Sequence, residues 1–355
     1  MLAHAQRFIM KFTRSLPRLA ALALTTALVA AAPAQADTVS LDLQSAWPLT
    51  MPASGQNAEY LAEKLNALSG GNLKVKVYSA GKLVPPLQIF DAVQQGSLDA
   101  GYTSPLYVAG RFPAVQLFGG IPFGPDVLTH AAWIYNGGGR EIWSEIYAKQ
   151  GVVTIPCGLM EREAGGWYSF EINSVADFNG KKLRFAGLAG ETMVKLGASI
   201  VLLPTGEIYP GMEKGVIDGA ELSMPAIDVT VGLDNVAKNY YLPGWHQPAA
   251  MNELIINQAK WDSMDEAQKT AIEEACKATN LRSVMSTQTA NAEAVKGFEA
   301  KGVQVRQFPP EVLEAIKTKV DEVMKEQSEK DADFKRVWES VSAYRASTEA
   351  WAARQ

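Results

Sequence analysis

Apolar positions along this chain switch between a period of two and a period near 3.6, and the switches fall at turn residues. Val39 to Leu43 alternates apolar and polar residues, which predicts a strand, and Ala46-Trp47-Pro48 ends it. From Gln56 to Leu68 the residues Ala58, Leu61, Ala62, Leu65 and Leu68 recur at helical spacing. Ser69-Gly70-Gly71-Asn72 stops that helix, and Leu73 to Tyr78 reads as the next strand. Pro85 to Gln95 is helical up to Gly96, and Leu98 to Tyr102 is a short strand. This β-α-β-α-β order predicts a mostly parallel sheet covered by helices.

The carboxy-terminal third is helical and charged. Asp262 to Gln288 and Ala290 to Ala300 have helical spacing, Gly302 to Phe308 reads as a strand, and Pro310 to Gln327 resumes the helix. After a polar stretch from Ser328 to Asp333, the residues Phe334, Val337, Trp338, Val341 and Tyr344 form another apolar stripe. Large aromatics this close to a terminus need cover. Two covers are open: the chain's own lobe, or a second copy in a homodimer.

A weak internal repeat suggests two similar units. Residues 89 to 104 read IFDAVQQGSLDAGYTS, and residues 208 to 223 read IYPGMEKGVIDGAELS. Each copy reads as a helix, a Gly stop, an apolar-Asp step and a strand. Ligands of parallel α/β sheets sit beyond the carboxyl ends of the strands. Tyr102-Thr103-Ser104 and Glu221-Leu222-Ser223 therefore mark two ends that suggest a shared cleft.

Ahead of the first strand, residues 1–36 carry Arg7, Lys11, Arg14 and Arg18 and no acidic residue. Leu19 to Ala32 is apolar but shorter than the roughly 20 residues of a membrane span. With Ala34-Gln35-Ala36 behind it, the pattern predicts a signal peptide cleaved before Asp37 and export to the periplasm. Cleavage removes four of the 33 Lys and Arg residues and none of the 38 Asp and Glu residues, leaving a chain more acidic than the overall charge of −5. No nucleic-acid partner is expected of it. Its length suits about two lobes.

Cys157 and Cys276 are the only cysteines. An exported chain can join them in a disulfide. A core of this size needs no staple, so two buried thiols are the expectation. Beyond residue 37 the only histidines are His130 and His246, and no HExxH, GxSxG, P-loop or strand-bound GxGxxG occurs. Gly137-Gly138-Gly139 follows a helical segment and reads as its stop. Nothing pairs a nucleophile with a base, so the residues point to binding rather than catalysis.

The blocks from 161 to 247 are distinctive: Glu161 to Trp167, Ser174 to Arg184, Leu196-Gly197-Ala198, Leu203-Pro204, Glu207-Ile208-Tyr209, Gly215 to Glu221, and Tyr241 to Gln247. With Ser69-Gly70-Gly71, Ala80-Gly81, Ala92 to Gly96 and Ile121 to Gly124, they resemble the periplasmic solute-binding proteins of tripartite ATP-independent (TRAP) transporters, the DctP family. The resemblance is greatest to the branch that binds 2-oxo monocarboxylates with a metal ion. It implies a two-lobed α/β fold of the Venus-flytrap type that closes on its ligand and delivers it to TRAP membrane permease subunits. It also implies crossover strands near Met160 to Trp167 and Ala249 to Asn257. Lobe 1 would comprise 37–160 and about 250–290. Lobe 2 would comprise 161–249 and about 291–325, followed by a C-terminal helix over 326–355. A sensor subunit for a membrane kinase, or a secreted metal-dependent enzyme, are the rival functions.

The same resemblance assigns site residues. Arg184 matches the arginine that holds the ligand carboxylate, a task suited to a planar, permanently charged guanidinium. Glu163, Glu221 and Gln247 match positions around the ligand and a bound cation, with Leu222 where the family pattern has Trp. Carboxylate and amide oxygens suit sodium or calcium, so either ion is expected to bridge protein and a small organic acid. Trp47, Tyr102 and Trp167 are expected as pocket walls. Export itself is checked by mass spectrometry of periplasmic protein, which should give an amino terminus at Asp37; intact Met1 or Met10 would reject cleavage.

Overall fold

The computed structural model describes residues 38–352 and residue 354, so the predicted signal peptide lies outside the described residues. In chain order the strands are β1 (Val39–Ser45), β2 (Leu73–Tyr78), β3 (Ala100–Thr103), β4 (Val152–Met160), β5 (Gly166–Tyr168), β6 (Lys182–Arg184), β7 (Ser199–Val201), β8 (Gly219–Ala220), β9 (Asn239–Leu242), β10 (Ala250–Asn257) and β11 (Gln304–Gln307). They form two sheets, ordered β2-β1-β3-β10-β4 and β11-β9-β5-β8-β6-β7. β1 pairs in parallel with β2 and β3, as the alternation of strand and helix predicted. The register sets Leu41 beside Val75, both buried under the helix Gly55–Leu68, whose Ala58, Leu61 and Leu65 face them. β10 then runs antiparallel between β3 and β4.

Three connections cross from one sheet to the other. β4 leads into β5 through residues 161–165, and β9 returns to β10 through 243–249. The third is the helix Glu266–Ala300, which is continuous where the sequence showed two helical stretches. Its start is fixed by a capping box: Asp265 accepts from the Gln268 backbone at 2.7 Å, and the Gln268 side chain accepts from the Asp265 backbone at 3.0 Å. Its first half packs on β4 through Ile272, Ala275 and Cys276. Its far end places Ala294 and Phe298 in the core of the second lobe.

That packing corrects the expectation for the cysteines. Cys157 of β4 and Cys276 of the long helix are joined in a disulfide, with Cα atoms 4.6 Å apart. The pairing follows from the parallel course of strand and helix, which sequence separation concealed.

The chain ends in two helices, Pro310–Lys330 and Ala332–Ala352, so the last one starts at Ala332 rather than near 326. The break falls at Asp331, whose carboxylate accepts from the Phe334 backbone at 2.6 Å. The first of the pair packs Val312, Ile316 and Val320 against the second lobe's helix Gly187–Lys195. The second buries Phe334, Val337 and Val341 on the first lobe, where Ser340 accepts from the Trp133 indole at 3.1 Å. Its own chain thus covers Phe334, Val337 and Val341 of the aromatic stripe, while Trp338 and Tyr344 stay half-buried. Gly137 ends the helix Val127–Asn136, and Gly138, at φ 83°, opens the next, as read from the sequence.

Each lobe also buries a carboxyl away from any ion pair. Glu253 of β10 is fully buried and accepts from Thr154 at 2.9 Å and Tyr147 at 3.1 Å. Burial pushes it up to about 8, against the smaller pull of those two donors. Asp228 accepts from Trp167 at 3.0 Å and Tyr240 at 2.9 Å and is likewise pushed up to about 8 by burial. The folded state therefore holds protons that the unfolded chain releases near its ordinary carboxyl pKa of 4.5. This stability is complete below that value and is lost as pH rises toward about 8. One such proton gives a slope of about 1.4 kcal/mol per pH unit between the two values. Glu253→Gln keeps both hydrogen bonds without the charge. Its melting temperature should match the wild type at pH 5 and exceed it at pH 9; parallel curves would show that Glu253 is not held protonated.

Candidate functional site

Strand pairing brings the site's charged residues together. β6 ends at Arg184 and β8 at Ala220, and the Glu221 backbone donates to Arg184 at 3.1 Å, so the two side chains emerge side by side. Arg184 Nη1 donates to Glu221 Oε1 at 2.6 Å and to the Glu221 carbonyl at 2.8 Å, and Nε donates to the Leu203 carbonyl at 3.2 Å. The Ala186 backbone donates to the same Glu221 oxygen at 3.0 Å. Both side chains are buried, at 4% and 2% exposure. Nη2 has no protein acceptor among the described residues.

Glu163 comes from the first crossover. Its backbone donates to the Gln247 carbonyl at 3.1 Å, and the Gly244 backbone donates to the Glu163 carbonyl at 2.9 Å, which binds the two crossovers to each other. A Cβ on Gly244 would lie 2.1 Å from that carbonyl oxygen, so only glycine permits the approach. Ser223 donates to Glu163 Oε1 at 3.0 Å, and His246 Nε2 lies 3.2 Å from Glu163 Oε2 and 3.8 Å from Glu221 Oε2. Burial pushes Glu163 up to about 8, with Ser223 and Arg184 opposing. Burial lowers His246 to about 4, against the pull of Glu221. Glu221 is raised by burial, with Arg184 the main opposing influence.

These groups border a cavity between the lobes with a volume of about 50 Å³, room for roughly three to five water molecules. Glu163, Arg184, Glu221, Leu222, Ser223 and Gln247 line it from the second lobe and the crossovers. Trp47, Met51, Ser104, Tyr107, Met160 and Asn252 are among the residues that line it from the first. Of the residues expected from the sequence, Arg184, Glu163, Glu221, Gln247, Leu222 and Trp47 meet here.

Tyr102 and Trp167 do not. Tyr102 lies behind Trp47, edge to face at 5.8 Å, and supports the wall without forming it. Trp167 faces the helix side of its sheet, against Tyr240 at 4.3 Å and Phe298 at 4.8 Å. Alternation along β5 decides this, since successive side chains leave a strand on opposite faces. Tyr107, Met51, Ser223 and Asn252 were not foreseen as site residues. Ser223 alone had a signal, its place at a strand end in the internal repeat. His246 stood within the distinctive block without a role.

A cation fits the donor set. One oxygen each from Glu163 and Glu221 and a ring nitrogen of His246 lie within 4.8 Å of one another, and Gln247 adds an amide to the same cavity. Two carboxyls that burial holds toward their neutral forms are the groups a cation would stabilise as anions. Glu163, Glu221 and His246 would hold it, with Gln247 beside them in the cavity.

The family model described as bacterial extracellular solute-binding protein, family 7 (DctP), matches residues 47–331. The chain belongs to this family, whose members are extracytoplasmic ligand carriers. A monocarboxylate 2-oxoacid-binding periplasmic protein of Nostoc sp. strain PCC 7120 is 33% identical over 334 residues, 92% of each chain. Among solved structures, a TRAP transporter solute-binding protein from Bordetella bronchiseptica RB50, a mixed-occupancy dimer with calcium and picolinate, matches with a TM-score of 0.86 and 32% identity. The match covers 89% of this chain and 94% of that one. A TRAP solute-binding protein from Pseudoalteromonas atlantica T6c, with sodium and pyruvate, matches with a TM-score of 0.85 and 30% identity over 89% of this chain and 96% of that one.

The buried pair gives a direct test. Arg184→Ala leaves Glu221 buried without its cation, and breaking such a pair costs about 3–5 kcal/mol. Arg184→Met combined with Glu221→Gln removes both charges and should recover most of that loss in chemical denaturation. A double variant as unstable as the single one would show that packing, not charge, is what Arg184 supplies.

Proposed function

We propose that this protein is the periplasmic binding subunit of a TRAP transporter, and that it captures a small 2-oxo or 2-hydroxy acid together with sodium or calcium for delivery to the membrane permease. The observation that supports this most is Arg184: its Nη1 is held by Glu221 while Nη2, on the cavity wall, has no protein acceptor. A ligand carboxylate would complete that fork. The cavity volume of about 50 Å³ restricts the ligand to a few heavy atoms. The relatives that bind pyruvate, picolinate or 2-oxo acids have ligands of this kind. Export through residues 1–36 completes the reading, and no helix among the described residues is long and apolar enough to cross a membrane.

The charge balance explains why a cation belongs with the ligand. Arg184 is a single positive group beside Glu221, Glu163 and the incoming anion. Without further positive charge, the anion would oppose ionised Glu163 and Glu221 in a site that excludes water. A cation held by those two residues, and by an oxygen of the ligand, turns that repulsion into attraction. Calorimetry with pyruvate after exhaustive chelation in sodium-free buffer should show affinity at least about tenfold weaker than with sodium or calcium restored, one charge-assisted contact being worth about that much. Gln247→Glu adds a third carboxylate and should tighten cation retention. Equal affinity with and without cation would reject the bridge.

A further inference from the structure

We infer that Asn252 is a specificity-determining residue, which donates its side-chain amide to an acceptor oxygen that the ligand carries beside its carboxylate. The inference builds on the function proposed above and adds the first lobe's share of ligand reading.

The backbone at Asn252 is irregular where regular pairing would be expected. β10 pairs Met251 with Leu159 and Glu253 with Pro156 of β4, so Cys157 and Gly158 together oppose Asn252 and the extra residue lies on β4. Such a bulge kinks the ladder beside Asn252, and bulges gather next to binding sites. Here the side chain borders the cavity and is 5% exposed. Its Nδ2 is buried and has no hydrogen-bond partner among the described residues.

A second group beside it is in the same condition. The Tyr102 hydroxyl is buried without a partner, although the amides of Asn57 and Asn252 lie next to it. Room for that hydroxyl exists because residue 158, across the bulge on β4, is glycine. A Cβ at Gly158 would lie 2.2 Å from the Tyr102 hydroxyl and 3.2 Å from Asn252 Cβ, and its φ of 110° is one that other residues rarely adopt. Bulge, glycine and tyrosine thus form a polar seat under Asn252.

Two buried, unpaired polar groups in contact are costly, and native interiors rarely keep them. Both are satisfied at once when the Asn252 amide is turned over about its last torsion, so that the Tyr102 hydroxyl donates to Oδ1 and Nδ2 faces the cavity and donates to the ligand. Arg184 takes the carboxylate from the opposite lobe, and the acceptor assigned to Asn252 is an oxygen outside the carboxylate; a loss shared equally by propionate would mark the carboxylate's second oxygen instead. A 2-oxo or 2-hydroxy acid has an oxygen outside the carboxylate on the adjacent carbon; a plain monocarboxylate does not. Asn252 therefore separates these two classes, and Tyr102 is its positioning residue.

The test is calorimetry with calcium present on the wild type, Asn252→Leu and Asn252→Ala. The probes are pyruvate and lactate, with propionate measured by displacement of pyruvate. Leu preserves the shape, Ala guards against misfolding of Leu, and melting temperatures check the fold of each. We expect both variants to lose at least about tenfold in pyruvate and lactate affinity, as when the donor to a strongly polar acceptor is removed. Propionate should change by much less. Tyr102→Phe should give a smaller loss with the same selectivity. Unchanged pyruvate affinity would leave Asn252 a structural residue, and an equal loss for pyruvate and propionate would place it on the carboxylate; either result overturns the inference. Failure of the wild type to bind pyruvate or lactate would overturn the proposed function and this inference with it.

Discussion

One buried guanidinium beside two buried carboxyls at a small cavity between the lobes is the constraint around which this protein is built. Arg184 and Glu221 are both nearly inaccessible, and Glu163 and His246 lie within reach of the same oxygens. Isolated charges do not tolerate such burial, so each group is held by backbone or side-chain partners: Leu203, Ala186 and Ser223 supply them. What remains is two carboxyls and one guanidinium around a single cavity. A fully neutralised cavity would have no electrostatic reason to accept either an acid or a metal ion.

The architecture keeps that arrangement in register. Glu163 and Gln247 sit on different crossovers, and the hydrogen bonds from Glu163 to Gln247 and from Gly244 to Glu163 make the two crossovers one unit. The disulfide ties β4 to the long helix just before the first crossover begins. The terminal helices add a strap, one packed on each lobe, with Lys195 paired to Glu326 at 2.7 Å on the second and Arg336 paired to Glu145 at 2.7 Å on the first. Exposed pairs of this sort contribute little individually. The apolar faces of those helices do most of the holding, and the charges define where they settle.

Much of this was legible in the sequence because it rests on local pattern. The β-α-β-α-β order of the first lobe followed from periodicity and turn residues, Glu221 stood at a strand end of the internal repeat, and Arg184 was named only by the family resemblance. What was not legible depended on tertiary register. Trp167 points away from the cavity because of its phase along β5, and Tyr102 stands one layer back because Trp47 and Tyr107 fill the front. The Cys157–Cys276 bond required knowing that a strand and a helix 119 residues apart run side by side. Asn252 sits opposite a bulge on β4, which leaves no mark in hydrophobic periodicity.

The departures from the family pattern gain meaning from this geometry. Leu222 lies at the cavity edge, and Gln247 presents an amide to the same cavity. Glu163 brings an acid to it from the other crossover, 3.2 Å from His246. The two crossovers are bonded at these residues. His246, between Glu163 and Glu221, reaches both acids, and its burial as a neutral ring lets it do so without adding a competing positive charge.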